Sequence, residues 1–583
     1  MKFFGEIELA WKIGDWHSLS GLNLPKLKSS NLESSELQVV ALQKAVAHFQ
    51  LSQNQEAVSA VQFAQQEGAD DELVVKYLLS GIYQTFAEHN VSLQQNASAA
   101  AYLNVAANVL NERNNHIEQP KWLTLAQIAY KTELKQVSYK IDAEISPVIE
   151  LGEAWAGNSV NTVIFRHHGL FSYNTYQYSA FYIDEETLRI IKRNLRSNEF
   201  EHHDIKGNYN LKDAHNSISL GIDRNGRLHI CYDHHGNKLN YRTSELPENI
   251  SEWSELLPMT GCNEERVTYP TFILPTEHTP LLMLYRDGNW KQGTAYIKYF
   301  DERLEIWLDY PNPILSGADN SPWTSNAYWN HPAIDRNGIL HLSYTWRTDY
   351  FSEEQLISNI NIDYAKSFDG GLNWITSKDH KYKLPITPVN SETVWPISPG
   401  SNHINQTSMA LDSKGLPHIA FYANDVKGIP QYQHLWFDGE QWNQSYVTQR
   451  TRPFDLSGGG TLKIPISRPE IIIDKDDTVF IIYRAEETDQ KLVASYQTAP
   501  EYRCVPEQTV TLWKETVGHA EPIVDRARWS KEQILTLLVQ YNDQPNGDIR
   551  HQQIFSPIRL IDIQFKKTEI LSGFHYELLK AGE

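Results

Sequence analysis

The sequence predicts a mainly β protein, a seven-bladed β-propeller over residues 145–583, preceded by an α-helical, tetratricopeptide-like domain over residues 1–144. Three observations carry this expectation. Four stretches repeat one pattern: Ile222–His235 (IDRNGRLHICYDHH), Ile334–Arg347 (IDRNGILHLSYTWR), Leu411–Asn424 (LDSKGLPHIAFYAN) and Ile473–Glu486 (IDKDDTVFIIYRAE). Each opens on an aliphatic–Asp pair, turns through polar residues and enters an alternating apolar and polar run, which is a tight turn feeding a half-buried strand. A recurrence of roughly 55–75 residues per unit suits a propeller blade. The second observation is a change of texture near residue 145, where helical periodicity gives way to Tyr-, Trp-, Ile- and Thr-rich segments bounded by Gly. The third is a count: strand-rich stretches at Thr162–Ile183, Thr271–Tyr285 and Arg528–Tyr541 bring the total to seven, and radial repetition leaves only short, protected sheet edges.

Before residue 145 the apolar positions follow helical spacing. Leu37, Val40, Leu42, Val46 and Phe49 share one face, with Ser34 or Ser35 placed to cap it. Ala57, Val58, Val61 and Phe63 mark a second run that ends near Gly68. Leu73, Val74, Tyr77, Leu78, Ile82 and Phe86 mark a third, and further helical runs fall at Ala99–Leu110 and Trp122–Leu134. Short links between amphipathic helices predict antiparallel helix pairs with a packing or protein-docking role.

Within the β region, SFDGGLNW at Ser367–Trp374 is a structural turn, with shorter cousins at Arg286–Trp290 and Phe437–Trp442. Asp accepts loop amides there, Gly supplies positive φ, and Trp fills the space between neighbouring sheets.

Net charge of −20 excludes a general nucleic-acid or anionic-membrane binder, because such binding needs clustered Lys and Arg. No apolar run reaches the roughly 20 residues that span a bilayer. The opening MKFFGEIELAWKIGDW has acidic residues where a secretory leader has its apolar core, so a cytoplasmic location is expected, with export by another route left open. Three widely spaced cysteines (Cys231, Cys262 and Cys504) suit a reducing compartment. His403, His418 and His434 offer metal-ligand types without closed-site spacing, so no cofactor is expected and a structural metal ion is left open. Neither a phosphate-binding loop nor a GxSxG elbow is present.

Propeller sites lie where strand ends converge on the central channel, and polar residues cluster at such ends. Asp213-Ala-His-Asn216 and Asp233-His-His-Gly236 flank one turn-and-strand unit, which brings His215 and His235 towards one end of a blade with Asn216 beside them. Strand alternation sends His234 to the other face. Tyr285-Arg286-Asp287-Gly288 closes an apolar run. Asn326-Ala-Tyr328-Trp-Asn-His331 leads into a strand ending at Trp346 and Arg347, and Asn402-His-Ile-Asn405-Gln406 precedes the Leu411 repeat. Aromatic rings interleaved with Asn, Gln, Arg and His suit a sugar, since rings stack on its apolar face while amides and guanidiniums read hydroxyls and carboxylates.

These segments, DAHNSISLGIDRNGRLHICYDHHG, YRDG, NAYWN…DRNGILHLSYTWR and INQTSMALDSKGLPHIAFY, resemble the BNR-4 repeat family over about residues 150–560. The family includes propeller ulvan lyases, related rhamnosyl-glucuronate lyases and α-L-rhamnosidases. The resemblance implies a lyase acting on an acidic polysaccharide. It implies His215 and His235 as active-site histidines, Tyr285 as the proton-handling tyrosine and Arg303 as the carboxylate-neutralising arginine, with Arg286 and Arg347 as the other candidates. A glycoside hydrolase on the same scaffold and a non-catalytic carbohydrate- or protein-binding propeller are the alternatives.

Overall fold

The computed structural model describes residues 7, 10–11, 16–29, 32–51, 53–92, 138–289, 292–317, 326–347, 356–503, 508–546 and 553–570. Contacts divide the chain into an N-terminal unit, Met1–Lys140 with Glu569–Glu583, and a larger unit, Ile141–Thr568.

The N-terminal unit is helical: Trp16–Ser20, Leu24–Lys28, Ser34–Gln50, Asn54–Gln66 and Asp71–Ser92. Apolar spacing over Ser34–Gln50 buries Leu37, Val40, Leu42 and Val46, whereas Phe49 is exposed. The cap differs from expectation. Glu33, rather than Ser34 or Ser35, is the N-cap residue, and its backbone N–H donates to the Glu36 carboxylate at 2.9 Å, a capping-box contact. Gly81 lets Asp71–Ser92 approach this helix closely, since a Cβ there would lie 2.7 Å from a Val46 methyl. The expected runs at Ala99–Leu110 and Trp122–Leu134 lie outside the described residues.

The larger unit contains seven antiparallel sheets, the blades of a propeller. Blade 1 (170–206) opens on Leu170–Tyr173, blade 2 (219–243) on Ser219–Ile222, blade 3 (267–309) on Val267–Ile273 and blade 4 (326–395) on Asn326–Trp329. Blade 5 (408–446) opens on Ser408–Leu411, blade 6 (470–513) on Glu470–Ile473 and blade 7 on Ile523–Val524. The ring closes in blade 7, where Phe555–Ile570 pairs with Leu535–Val539 and with Ser138–Ile145 and Ile149–Trp155 from the start of the unit.

The four sequence repeats are the turns between first and second strands. Asp335 accepts the N–H groups of Asn337 and Ile339, Asp412 those of Lys414 and Leu416, and Asp474 those of Asp476 and Thr478, all within 3.0 Å. Asp223 accepts from Arg227 N–H in the same way. One turn departs from the pattern. Asp525 caps a helix, Arg526–Glu532, so the segment expected as strand from Arg528 begins helical and turns to strand at Leu535–Val539. The SFDGGLNW turn is as predicted: Trp374 is buried and donates to the Gly371 carbonyl, and Gly370 and Gly371 have positive φ.

Each first strand runs towards its Asp turn and each second strand runs back. The residues before a first strand and after a second strand therefore share one face of the ring. Below that face the channel is bridged: His167 of the lead into blade 1 meets His331 of blade 4 at 2.5 Å, ring nitrogen to ring nitrogen.

Candidate active site

A cavity of ≈ 290 Å³ opens at that face, and all seven blades or their leads contribute to it: Phe165, His215 and His235, Tyr269 and Arg286, Tyr328 and Arg347, Asn405, Arg468, and Glu521.

His215 and His235 come together as the sequence predicts. Their rings stack at 4.2 Å between centroids and 14° between planes, and Phe165 packs on the other face of His215 at 5.8 Å. Asp213 holds both. Its Oδ1 lies 2.5 Å from His215 Nδ1, and its Oδ2 lies 2.5 Å from His235 Nδ1. Tyr182 of blade 1 staples the two segments, donating its hydroxyl to the Asn216 carbonyl and accepting the Asp233 N–H. His235–Asn237 also pairs with the first strand of blade 3, opposite Val267 and Thr268, which sets His235 beside Tyr269. Burial pulls the His215 imidazole below its ordinary range. The Asp213 carboxylate opposes that shift, while His235 and Arg286 add to it.

Tyr269 is a residue that sequence reasoning missed. The first strand of blade 3 is irregular between Thr268 and Thr271, and Tyr269 sits in the left-handed region at φ 55. A bulky non-glycine residue there carries backbone strain of about 1–3 kcal/mol, a cost concentrated at functional sites. The irregularity turns the ring into the cavity, 5.9 Å from His215 and 5.0 Å from the Arg286 guanidinium. The one signal in sequence is Tyr-Pro inside a strand pattern, since Pro270 cannot complete a ladder. Burial and the neighbouring Tyr328 hold the Tyr269 phenol well above its ordinary range, so it stays protonated.

Arg286 and Tyr285 alternate along Leu282–Gly288 and face opposite ways. Arg286 lines the cavity. Tyr285, expected as the proton-handling residue, is sealed with Cys231, Met283 and Phe300 between sheets, its hydroxyl without a partner among the described residues. Burial and the charge of Glu264 push that phenol well above its usual value. Arg303, the expected neutralising arginine, is exposed in a turn of the outer hairpin of blade 3, where its N–H donates to Asp301. Strand alternation inverted the first assignment, and distance from the channel removes the second.

Among the described residues four guanidiniums line the cavity, and their partners separate them. Arg468 is locked to Glu521 by a bidentate pair at 2.8 and 2.6 Å. Arg484 is consumed by backbone carbonyls and Gln490. Arg347 donates to Asn359 and Asn405, each at 2.6 Å, and lies 5.3 Å over Tyr328. Arg286 is 2% exposed, has an unpartnered Nε, makes one long contact to the Tyr328 hydroxyl at 3.5 Å, and pairs with no carboxylate among the described residues. Burial alone would raise the Tyr328 phenol, but the Arg347 and Arg286 charges and hydrogen bonds from Arg286 and Asn326 outweigh it and bring the phenol below its ordinary value.

Of the other expected contacts, Asn405 reaches the cavity. Asn216 and Asn326 are buried supports, Trp346 donates to Asp363 inside blade 4, and Gln406 is buried outside the lining. His418 and His434 stack on each other in a buried pair while His403 packs on Phe421, so the three do not form one ligand set.

The propeller matches the BNR repeat-containing family. That match covers residues 176–450. Among curated proteins, the chain is 24% identical over 241 residues to the long isoform of an ulvan lyase from Glaciecola sp., covering 34% of this chain and 23% of that one. It is 21% identical over 275 residues to a PL25 ulvan lyase from Pseudoalteromonas sp., covering 40% of this chain and 51% of that one. The chain thus spans a quarter to a half of these relatives' lengths. Among solved structures, a PL25 ulvan lyase bound to -[GlcA(1-4)Rha3S]- aligns with TM-score 0.51 and 14% identity over 68% of this chain and 94% of that one. The polysaccharide lyase Uly1 aligns with TM-score 0.51 and 13% identity over 72% and 99%. At such identities the likeness speaks for the fold.

Proposed function

We propose that this protein is a polysaccharide lyase that cleaves a uronate-containing glycan by β-elimination. The observation that carries the reading is Arg286, a buried guanidinium without a carboxylate partner among the described residues, set beside two stacked imidazoles and a protonated phenol. A buried cation left unpaired is costly, so the cavity is complementary to an anionic group brought by the ligand.

A uronate supplies that group. With its carboxylate between Arg286 and Arg347 over the Tyr328 ring, charge on the carboxylate is neutralised and the C5 proton becomes acidic enough to remove. An imidazole Nε2 accepts that proton, the C5–H electrons form the C4=C5 double bond, and the C4–O4 bond breaks. Tyr269 donates its proton to the departing oxygen and regains one from the imidazolium. The products are an unsaturated uronate and a new reducing end, and no water is consumed.

A paired-carboxylate hydrolase would need two free acids across the bond. Among the described lining residues Glu521 is the carboxylate, and both of its oxygens are occupied by Arg468 and backbone amides. The names of the similar lyases support a rhamnose–glucuronate glycan as the substrate. Incubation with a panel of uronate-bearing polysaccharides tests the activity: ultraviolet absorbance of a conjugated uronate is expected on a glucuronate–rhamnose polymer. Its absence across the panel contradicts the reading. His215→Ala and His235→Ala should each abolish turnover while sparing binding.

A further inference from the structure

We propose that Asp213, which lies behind the cavity and outside its lining, locks His215 and His235 into one tautomer pair that handles a single proton per turnover. The effect of this lock on rate rests on the elimination reading above; the lock itself rests on geometry.

Each Asp213 oxygen lies 2.5 Å from the Nδ1 of a different imidazole, so an ionised carboxylate requires a proton on both Nδ1 atoms. Burial opposes that charge, but hydrogen bonds from both histidines hold the carboxyl well below the usual carboxylate range. In a ring whose single proton sits on Nδ1, the lone pair is on Nε2, on the side away from Asp213. Phe165 on one side and the stacking between the two rings fix the ring planes. The groups facing His215 are Asp213, His235, Tyr269 and Arg286, and Asp233 acts on Asp213 from the following loop. Once one imidazole has taken a proton, a second charge 4.2 Å away would meet like-charge repulsion from its neighbour and from Arg286. The pair then works as one base, and the proton gained at one Nε2 is returned before the next cycle. Asp213 is therefore a positioning residue, orienting imidazoles as the carboxylate of a Ser-His-Asp triad does.

The same three side chains bring ligand atoms within 4.8 Å of one another, a spacing that a divalent ion also accepts. Experiment separates the two. Asp213→Asn keeps the volume but offers one acceptor and one donor, so it can hold only one imidazole in the Nδ1–H form. In the full chain, long-range proton–nitrogen correlation spectra are expected to show both rings as Nδ1–H tautomers, and one ring switched to Nε2–H in the variant. With elimination as readout, kcat should fall by about 10²–10⁴ while KM moves less than about threefold. Unchanged tautomers in the variant, or an unchanged kcat, overturn the lock. Loss of wild-type activity on chelation with recovery on adding zinc would make Asp213 a metal ligand and overturn it as well. If wild type shows no elimination on any glycan, the elimination reading fails alone, and the tautomer spectra still decide the role of Asp213.

Discussion

At the scale of single residues, the site is organised by which charges are already spent. Arg468 and Arg484 are satisfied within the fold, whereas Arg286 pairs with no carboxylate among the described residues. Arg286→Gln should lower turnover by at least about a hundredfold, the scale of losing one stabilising donor at a developing charge. The melting temperature should hold or rise, because an unpaired buried cation is removed; a collapse of stability in thermal unfolding would show that Arg286 is structural. Tyr269→Phe should likewise keep the fold and lose turnover. Because burial holds the His215 imidazole below its ordinary range, the base is neutral at neutral pH. The kcat/KM profile should fall only on the acid side, with its limb below pH about 6.5. A limb well above that value would contradict His215 as part of the base. The histidines were legible in sequence because both flank one recognisable turn-and-strand unit. Tyr285 misled because a period of two decides which of two adjacent residues faces the channel, and the irregularity at Tyr269 breaks the pattern by which its own facing would be read.

At the scale of elements, neighbouring blades position the site. The Tyr182 hydroxyl on blade 1 pairs with Asn216 and Asp233, on the two segments that carry the histidines. Tyr182→Phe leaves a buried carbonyl and a buried N–H unpaired, which costs about 1–3 kcal/mol. Both denaturant stability and turnover should fall, and loss of neither would show that the staple is dispensable. Such links join segments far apart in sequence and have no local signature. The Asp turns do, because one side chain satisfies several amides within five residues, and they made the blades countable from sequence alone.

At the scale of the whole molecule, the ring is held where its ends meet. Asp562 on the closing strand pairs with Arg193 of blade 1 and with Arg528. Burial resists its charge, but these hydrogen bonds lower the carboxyl to about 2. Its folded pKa is depressed, so the stabilisation is present above the unfolded value near 4 and is lost as pH falls through about 2. Asp562→Asn should cost about 2 kcal/mol at neutral pH and flatten the acid limb of the stability profile. An unchanged denaturant midpoint would contradict this. The closure joins strands some four hundred residues apart, which no local pattern discloses, although the blade count of seven implied a closed ring. In the proposed reaction, proton removal at C5, rather than water attack, breaks the glycan. Mass spectrometry of a defined glucuronate–rhamnose oligosaccharide tests it most directly. Fragment masses that sum to the substrate are expected, one fragment lacking a water; fragments that sum to the substrate plus one water would contradict elimination.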